Sequence, residues 1–172
     1  CPSAQEPGVL DGLHTTTLRE KVEMADNIIR SPDTMRAQRI PPGQHEVKDW
    51  PVLHYGGVPR LETGKWTFTI KGEIKKNIRL TYAEFMALPQ EKGFSDIHCV
   101  TTWLRLDNLW QGPSARTVVS LAELKPEAKF VIVHGAGGFT TNLPLIDFLA
   151  EDVLFALSHD GQALIAEHGA PV

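Results

Sequence analysis

Three segments carry a helix-start signal, and each is closed early. Thr17-Leu18-Arg19-Glu20, Thr81-Tyr82-Ala83-Glu84 and Ser120-Leu121-Ala122-Glu123 all place a hydroxyl residue three positions ahead of a glutamate. In this capping box the hydroxyl and the carboxylate satisfy each other's backbone amides. Leu18, Val22, Ala25 and Ile29 continue at helical spacing, which predicts a first helix to about Ile29, ended by Ser31-Pro32-Asp33. Pro89 closes the second segment and Pro126 the third, and Leu145 to Leu149 reads as one more short helix. Helices this short, interleaved with short strands, suggest an α+β fold.

Strand patterns fill the spaces between. Trp66-Thr67-Phe68-Thr69-Ile70-Lys71 alternates apolar and polar residues, as a half-buried strand does. Asp96 to Val100 reads as a short strand and Lys129 to His134 as a buried one. Asp160-Gly161 within Val153 to Leu164 is a two-residue hairpin signal. The fold class expected is α+β, with mixed β-sheets and short helices. Two parts are expected: an N-terminal arm and helix over residues 1–35, loose to about His14, and one domain over residues 36–172. That domain opens on a Pro-, Gly- and His-rich stretch from Arg36 to Gly57, too irregular for regular structure and of a kind that carries function in compact domains. With 172 residues the chain can bury a core without a disulfide or zinc staple.

Composition excludes several roles. A net charge of -4 does not suit a nucleic-acid coat or an anionic-membrane binder. No apolar run approaches the roughly 20 residues of a membrane helix, so no membrane span is expected. Two cysteines, Cys1 and Cys99, lack the spacing of a zinc ribbon, and nothing in the sequence supports pairing them. No basic stretch followed by an apolar one is visible in the chain as a signal peptide, and Cys1 reads as an ordinary chain boundary before it reads as a lipid site. The compartment stays open, with the cytoplasm favoured.

Gly135-Ala136-Gly137-Gly138 after a strand reads as a turn before it reads as a phosphate cradle, since no Lys-Ser/Thr follows. None of the seven histidines pairs at helical spacing, and His14 and His159 read as surface residues. Cys99 stands apart, between a short apolar strand and Thr101, Thr102, Trp103, Arg105, Asp107, Asn108 and Trp110. Three readings of it are open. It is a buried small hydrophobe, a nucleophile with His98, His134 or His168 as base, or one thiolate ligand to a metal whose other ligands come from a cofactor.

Several blocks resemble, in order, the molybdenum-cofactor domain of the sulfite oxidase superfamily, and most closely its small single-domain and methionine-sulfoxide-reducing members. They include Arg39-Ile40-Pro41-Pro42-Gly43-Gln44, Pro51-Val52-Leu53-His54-Tyr55-Gly56, His98-Cys99-Val100-Thr101-Thr102-Trp103, Leu106 to Gly112, Thr140 to Leu145, and Glu167-His168-Gly169-Ala170-Pro171-Val172. The resemblance implies the sulfite-oxidase molybdopterin-binding fold and a molybdenum-molybdopterin cofactor. It implies Cys99 as the metal ligand and catalytic residue, and Gln38, Arg39, Gly135 and His168 as cofactor contacts. Arg39 and His168 are then expected to line one cavity. An arginine and a basic phosphate-holding segment are expected after Val172.

Two departures bear on substrate. Where sulfite oxidases hold their anion with an arginine this chain has Leu104, with Arg105 on the opposite side of any strand, and Phe139 takes the place of their tyrosine. Both turn the expected reaction from sulfite oxidation toward oxygen-atom transfer with a small S- or N-oxide. Electrons would pass to or from a separate protein partner. A cysteine hydrolase or transferase, and a non-catalytic binding domain, are the alternatives.

Overall fold

The computed structural model describes residues 16–53 and 56–172. Cys1, His14, the rest of the expected arm and the His54-Tyr55 pair lie outside the described residues.

Helix α1 (Leu18–Glu23) starts on the expected capping box, with Thr17 accepting from the Glu20 amide and Glu20 accepting from that of Thr17. It stops short of the predicted end. Ile28 and Ile29 belong instead to β1 (Ile28–Arg30), which pairs in parallel with β5 (Glu91–His98). Their spacing suits a helix, but pairing with a central strand decides the outcome. A short 3-10 turn, Pro32–Met35, follows, and then β2 (His45–Glu46). The predicted strand near Trp66 is β3 (Thr67–Ile70), in an antiparallel ribbon with β4 (Ile78–Thr81). The second capping box opens α2 (Tyr82–Met86) as expected.

From β5 the chain turns at Cys99 into β6 (Trp103–Gly112), the longest strand and one not foreseen, because its polar centre reads like a loop. The third expected helix lies earlier than predicted. It is α3 (Ala115–Ser120), capped by the Ser114 hydroxyl on the Thr117 amide, so Ser120 ends a helix rather than starting one. β7 (Phe130–His134) and β8 (Thr140–Pro144) form an antiparallel ribbon, followed by α4 (Leu145–Phe148). The Gly135–Gly138 segment is its turn, with the Gly135 amide donating to the Phe139 carbonyl at 2.8 Å. The Asp160-Gly161 hairpin joins β9 (Ser158–His159) and β10 (Gln162–Ala163), with φ of 48° and 80° at its two turn residues, as a primed turn requires.

The principal sheet runs β1-β5-β6-β9-β10 and mixes parallel with antiparallel pairs, so the expected α+β class with mixed sheets is the one observed. One edge of β6 is taken by β5. The other is shared: β2 pairs near its start at Trp103 and Leu104, and β9 near its end at Trp110 and Gln111. That sharing brings the irregular stretch after Arg36 and the C-terminal hairpin to the same strand that leaves Cys99. The core lies beneath, around Phe85, Val118 and Leu157, with Phe68, Trp66 and Phe155 in edge or tilted ring contacts. α3 adds Ala115 and Val119 against Phe148 and the inner face of the β7–β8 ribbon.

Candidate active site

Cys99 is the first residue of the turn between β5 and β6. Its amide donates to the Trp103 carbonyl at 3.0 Å, and its carbonyl accepts from the Thr102 amide at 3.1 Å, with Thr102 at a φ of 76°. The thiol is half-buried, and Val100 beside it is fully open to solvent. Sγ lies 3.1 Å from the Thr101 hydroxyl. That hydroxyl and the Thr101 amide hold the thiol below its ordinary pKa, favouring the thiolate that a metal needs.

Gln44 braces this turn from across the sheet. Its Nε2 donates to the Cys99 carbonyl at 3.1 Å, and its Oε1 accepts from His98 Nδ1 at 3.0 Å. The sequence showed Gln44 only as the end of a matched block, and no spacing signal tied it to Cys99. His98 is therefore engaged with Gln44, and no histidine among the described residues hydrogen-bonds Sγ. A cysteine–histidine dyad, which the hydrolase alternative needs, is not formed there.

Arg39 is placed against the strands that carry Cys99. Its Nε and Nη2 grip the two oxygens of Asp96 at 2.9 and 2.6 Å, and Nη2 also donates to Asp107 at 2.6 Å. The Asp96 side chain is fully buried at an irregularity where the β5–β6 register shifts between Ser95 and Ile97. There it also accepts the Asp107 amide at 3.0 Å, with Asp107 at a φ of 58°. Burial alone would raise the Asp96 pKa. The Arg39 hydrogen bonds and the Asp107 amide outweigh it, so the carboxylate stays below its usual range and the guanidinium above its own. Gln38, one residue earlier, is exposed.

Leu104 is a core residue with no exposed surface, so it could not present a charge to a substrate. Arg105 faces the other way, as strand alternation requires. It donates to the Lys48 carbonyl, to Asp160 at 2.6 Å and to Asn108, and its Nη1 lies 2.9 Å from His159 Nε2. His159 is accordingly not the surface residue expected. It is half-buried, stacks on Trp50 with centroids 4.7 Å apart, and burial lowers its pKa.

His168 closes this cluster. Trp50 stacks on Trp110 at 5.1 Å and meets the His168 ring edge-on at 4.4 Å, and its indole N–H donates to His168 Nδ1. Nε2 of His168 and Nε1 of Trp103 are buried and have no hydrogen-bond partner among the described residues. Gly135 sits apart in the β7–β8 turn, its amide already used by Phe139. Among the described residues, Gln38, Arg39, Gly135 and His168 make no direct hydrogen bond to Cys99; Arg39 reaches the Cys99 hairpin through Asp96 and Asp107.

Asp33, Asp96 and His98 also bring ligand-type atoms within 4.8 Å of one another. Both carboxylates are engaged: Asp33 accepts the amides of Thr34 and Asp96, and Asp96 holds Arg39.

Comparison with known proteins identifies the family. Residues 55–172 match the oxidoreductase molybdopterin binding domain family. The chain belongs to that family: it is a sulfite-oxidase-like oxidoreductase domain, and its cofactor is molybdenum-molybdopterin. It is 45% identical over 135 residues to the uncharacterized oxidoreductase YuiH of Bacillus subtilis, a stretch covering 78% of this chain and 68% of that protein. It is 33% identical over 95 residues to the protein-methionine-sulfoxide reductase catalytic subunit MsrP of Campylobacter jejuni, covering 55% of this chain but 30% of that one. The fold is similar, with a TM-score of 0.63 and 21% identity, to the sulfane dehydrogenase SoxCD of Paracoccus pantotrophus, over 69% of this chain and 35% of that one. No helix among the described residues is long and apolar enough to cross a membrane.

The residues present suit the cofactor. A pterin with a phosphate arm is rich in acceptors, and two buried nitrogens, Trp103 Nε1 and His168 Nε2, stand without partners among the described residues. A half-exposed thiol biased toward thiolate is a donor of the kind that a soft metal centre accepts.

Proposed function

We propose that this domain catalyses two-electron oxygen-atom transfer with a small neutral S- or N-oxide, its molybdenum held through Cys99. When bound, the cofactor supplies the two-electron couple and the oxygen-accepting centre. The reduction S=O + 2 e⁻ + 2 H⁺ gives the sulfide and water, with the electrons delivered by a separate redox protein. The chain's own part is positional. Cys99 offers a thiolate from a turn fixed on one side by the Trp103 carbonyl and on the other by Gln44. His168, and Gly135 and Gln38 by the family resemblance, are assigned to the pterin. Arg39 is assigned to shaping the wall beside it, all within residues 36–172.

The observation that carries the substrate class is the commitment of charge. Arg19, Arg39 and Arg105, which are bound to the strands around Cys99, are all spent on carboxylates. Sulfite is a dianion near neutral pH and needs unspent, fixed cations to offset its desolvation. A neutral sulfoxide does not. The similarity to MsrP supports the same direction.

Steady-state kinetics on the molybdenum-loaded protein test the proposal. Reduction of methionine sulfoxide or an N-oxide is expected to exceed sulfite oxidation in kcat/KM. A sulfite kcat/KM on the order of 10⁶ M⁻¹s⁻¹, typical of an efficient enzyme, overturns the substrate assignment.

A further inference from the structure

We infer that Trp50 is a positioning residue that sets the tautomer of His168 and so makes its buried Nε2 a hydrogen-bond donor to the cofactor. The inference rests on the cofactor reading above, and the contacts of Trp50 carry it beyond that reading.

An indole nitrogen only donates. Trp50 Nε1 faces His168 Nδ1, so Nδ1 accepts and the proton of the neutral ring is on Nε2. Nε2 is buried and has no partner among the described residues. Leaving a donor unpaired there costs free energy, unless an acceptor arrives. A phosphate or carbonyl oxygen of the pterin is such an acceptor; with the opposite tautomer Nε2 would present a lone pair to it and repel it.

Trp50 is itself held in place. Its ring lies at 16° to His159 and 30° to Trp110. His159 Nε2 is held between Arg105 Nη1 at 2.9 Å and Asn108 Oδ1 at 3.0 Å. The irregular stretch that contributes Trp50 is pinned to β6 through the Val47 amide on the Leu104 carbonyl at 2.8 Å and Arg105 on the Lys48 carbonyl at 2.8 Å. A chain of contacts thus runs from the strand leaving Cys99, through Arg105, His159 and Trp50, to His168.

Nitrogen-15 NMR of the His168 ring, in cofactor-free protein, reads the tautomer directly. Wild type is expected to show Nε2 protonated and Nδ1 bare. In Trp50→Phe, which keeps an aromatic ring in the stack and removes the donor, both nitrogens are expected to move toward averaged values. Cofactor retention, followed as molybdenum lost on dialysis, should fall roughly three- to tenfold in Trp50→Phe, the loss of about one neutral hydrogen bond. Added to His168→Leu, the same change should cause no further loss. A proton on Nδ1 in wild type overturns the inference without any substitution. So does an unchanged ring pattern in Trp50→Phe, or an equal further loss on the His168→Leu background. Wild-type protein that takes up no molybdenum overturns the cofactor reading instead, and with it the recipient of the donor, whatever the ring shows.

Discussion

Cys99 combines two properties that usually conflict: its backbone is tied on both sides, while its thiol stays accessible and biased toward the thiolate. Cys99→Ser should therefore abolish molybdenum-dependent turnover while changing stability by no more than about 0.5 kcal/mol, as for other part-exposed sites; activity assays and thermal melts check this. Gln44 holds both His98 and the Cys99 carbonyl, so Gln44→Leu should destabilise by about 1 kcal/mol and lower kcat more than it raises KM, since it loosens the turn without touching substrate. A denaturation curve beside a Michaelis plot separates the two effects. Cys99 was visible in the sequence as an internal cysteine in a distinctive setting. Gln44, Trp50 and Asp96 were not, because each acts through a partner far away in the sequence, and no local spacing encodes such a partner.

At the scale of elements, the β5–β6 pair is held at its irregularity by a buried carboxylate. Asp96 has its pKa lowered in the fold, so its contribution is present above the unfolded carboxylate value of about 3.9 and disappears as pH falls through the lower folded value. Asp96→Asn leaves Arg39 with a weaker partner and should cost about 3 kcal/mol at neutral pH; the deficit relative to wild type should shrink in acid-unfolding curves toward and below the folded value. Gly112, at the end of β6, is fixed by close approach: a Cβ there would lie 1.8 Å from the Phe155 carbonyl oxygen. Gly112→Ala should destabilise by about 3 kcal/mol or more, measured by urea denaturation. The hairpin at Asp160-Gly161 and the first two capped helices were legible because their signals are local. β6 was not, because Asp107 and Asn108 in its centre look like loop residues until Arg39 and Arg105 meet them. α3 was displaced because its cap, Ser114, answers to Thr117 rather than to a glutamate.

For the molecule as a whole, short helices and short strands fixed the class but not the order of the sheet. That order depends on contacts far apart in sequence: β1 reaches β5, and β2 and β9 divide one edge of β6 between them. The same division brings Trp50, His159 and His168 together on the strand that begins beside Cys99. Only the ordered blocks of family resemblance singled out His168; the residues that contact it emerge from the topology. The central claim is that the Cys99 thiolate is the protein's ligand to molybdenum, and X-ray absorption at the molybdenum edge tests it most directly. Cofactor-loaded wild type should show one more sulfur neighbour around the metal than Cys99→Ser loaded in the same way. An identical sulfur shell in both proteins would contradict the account.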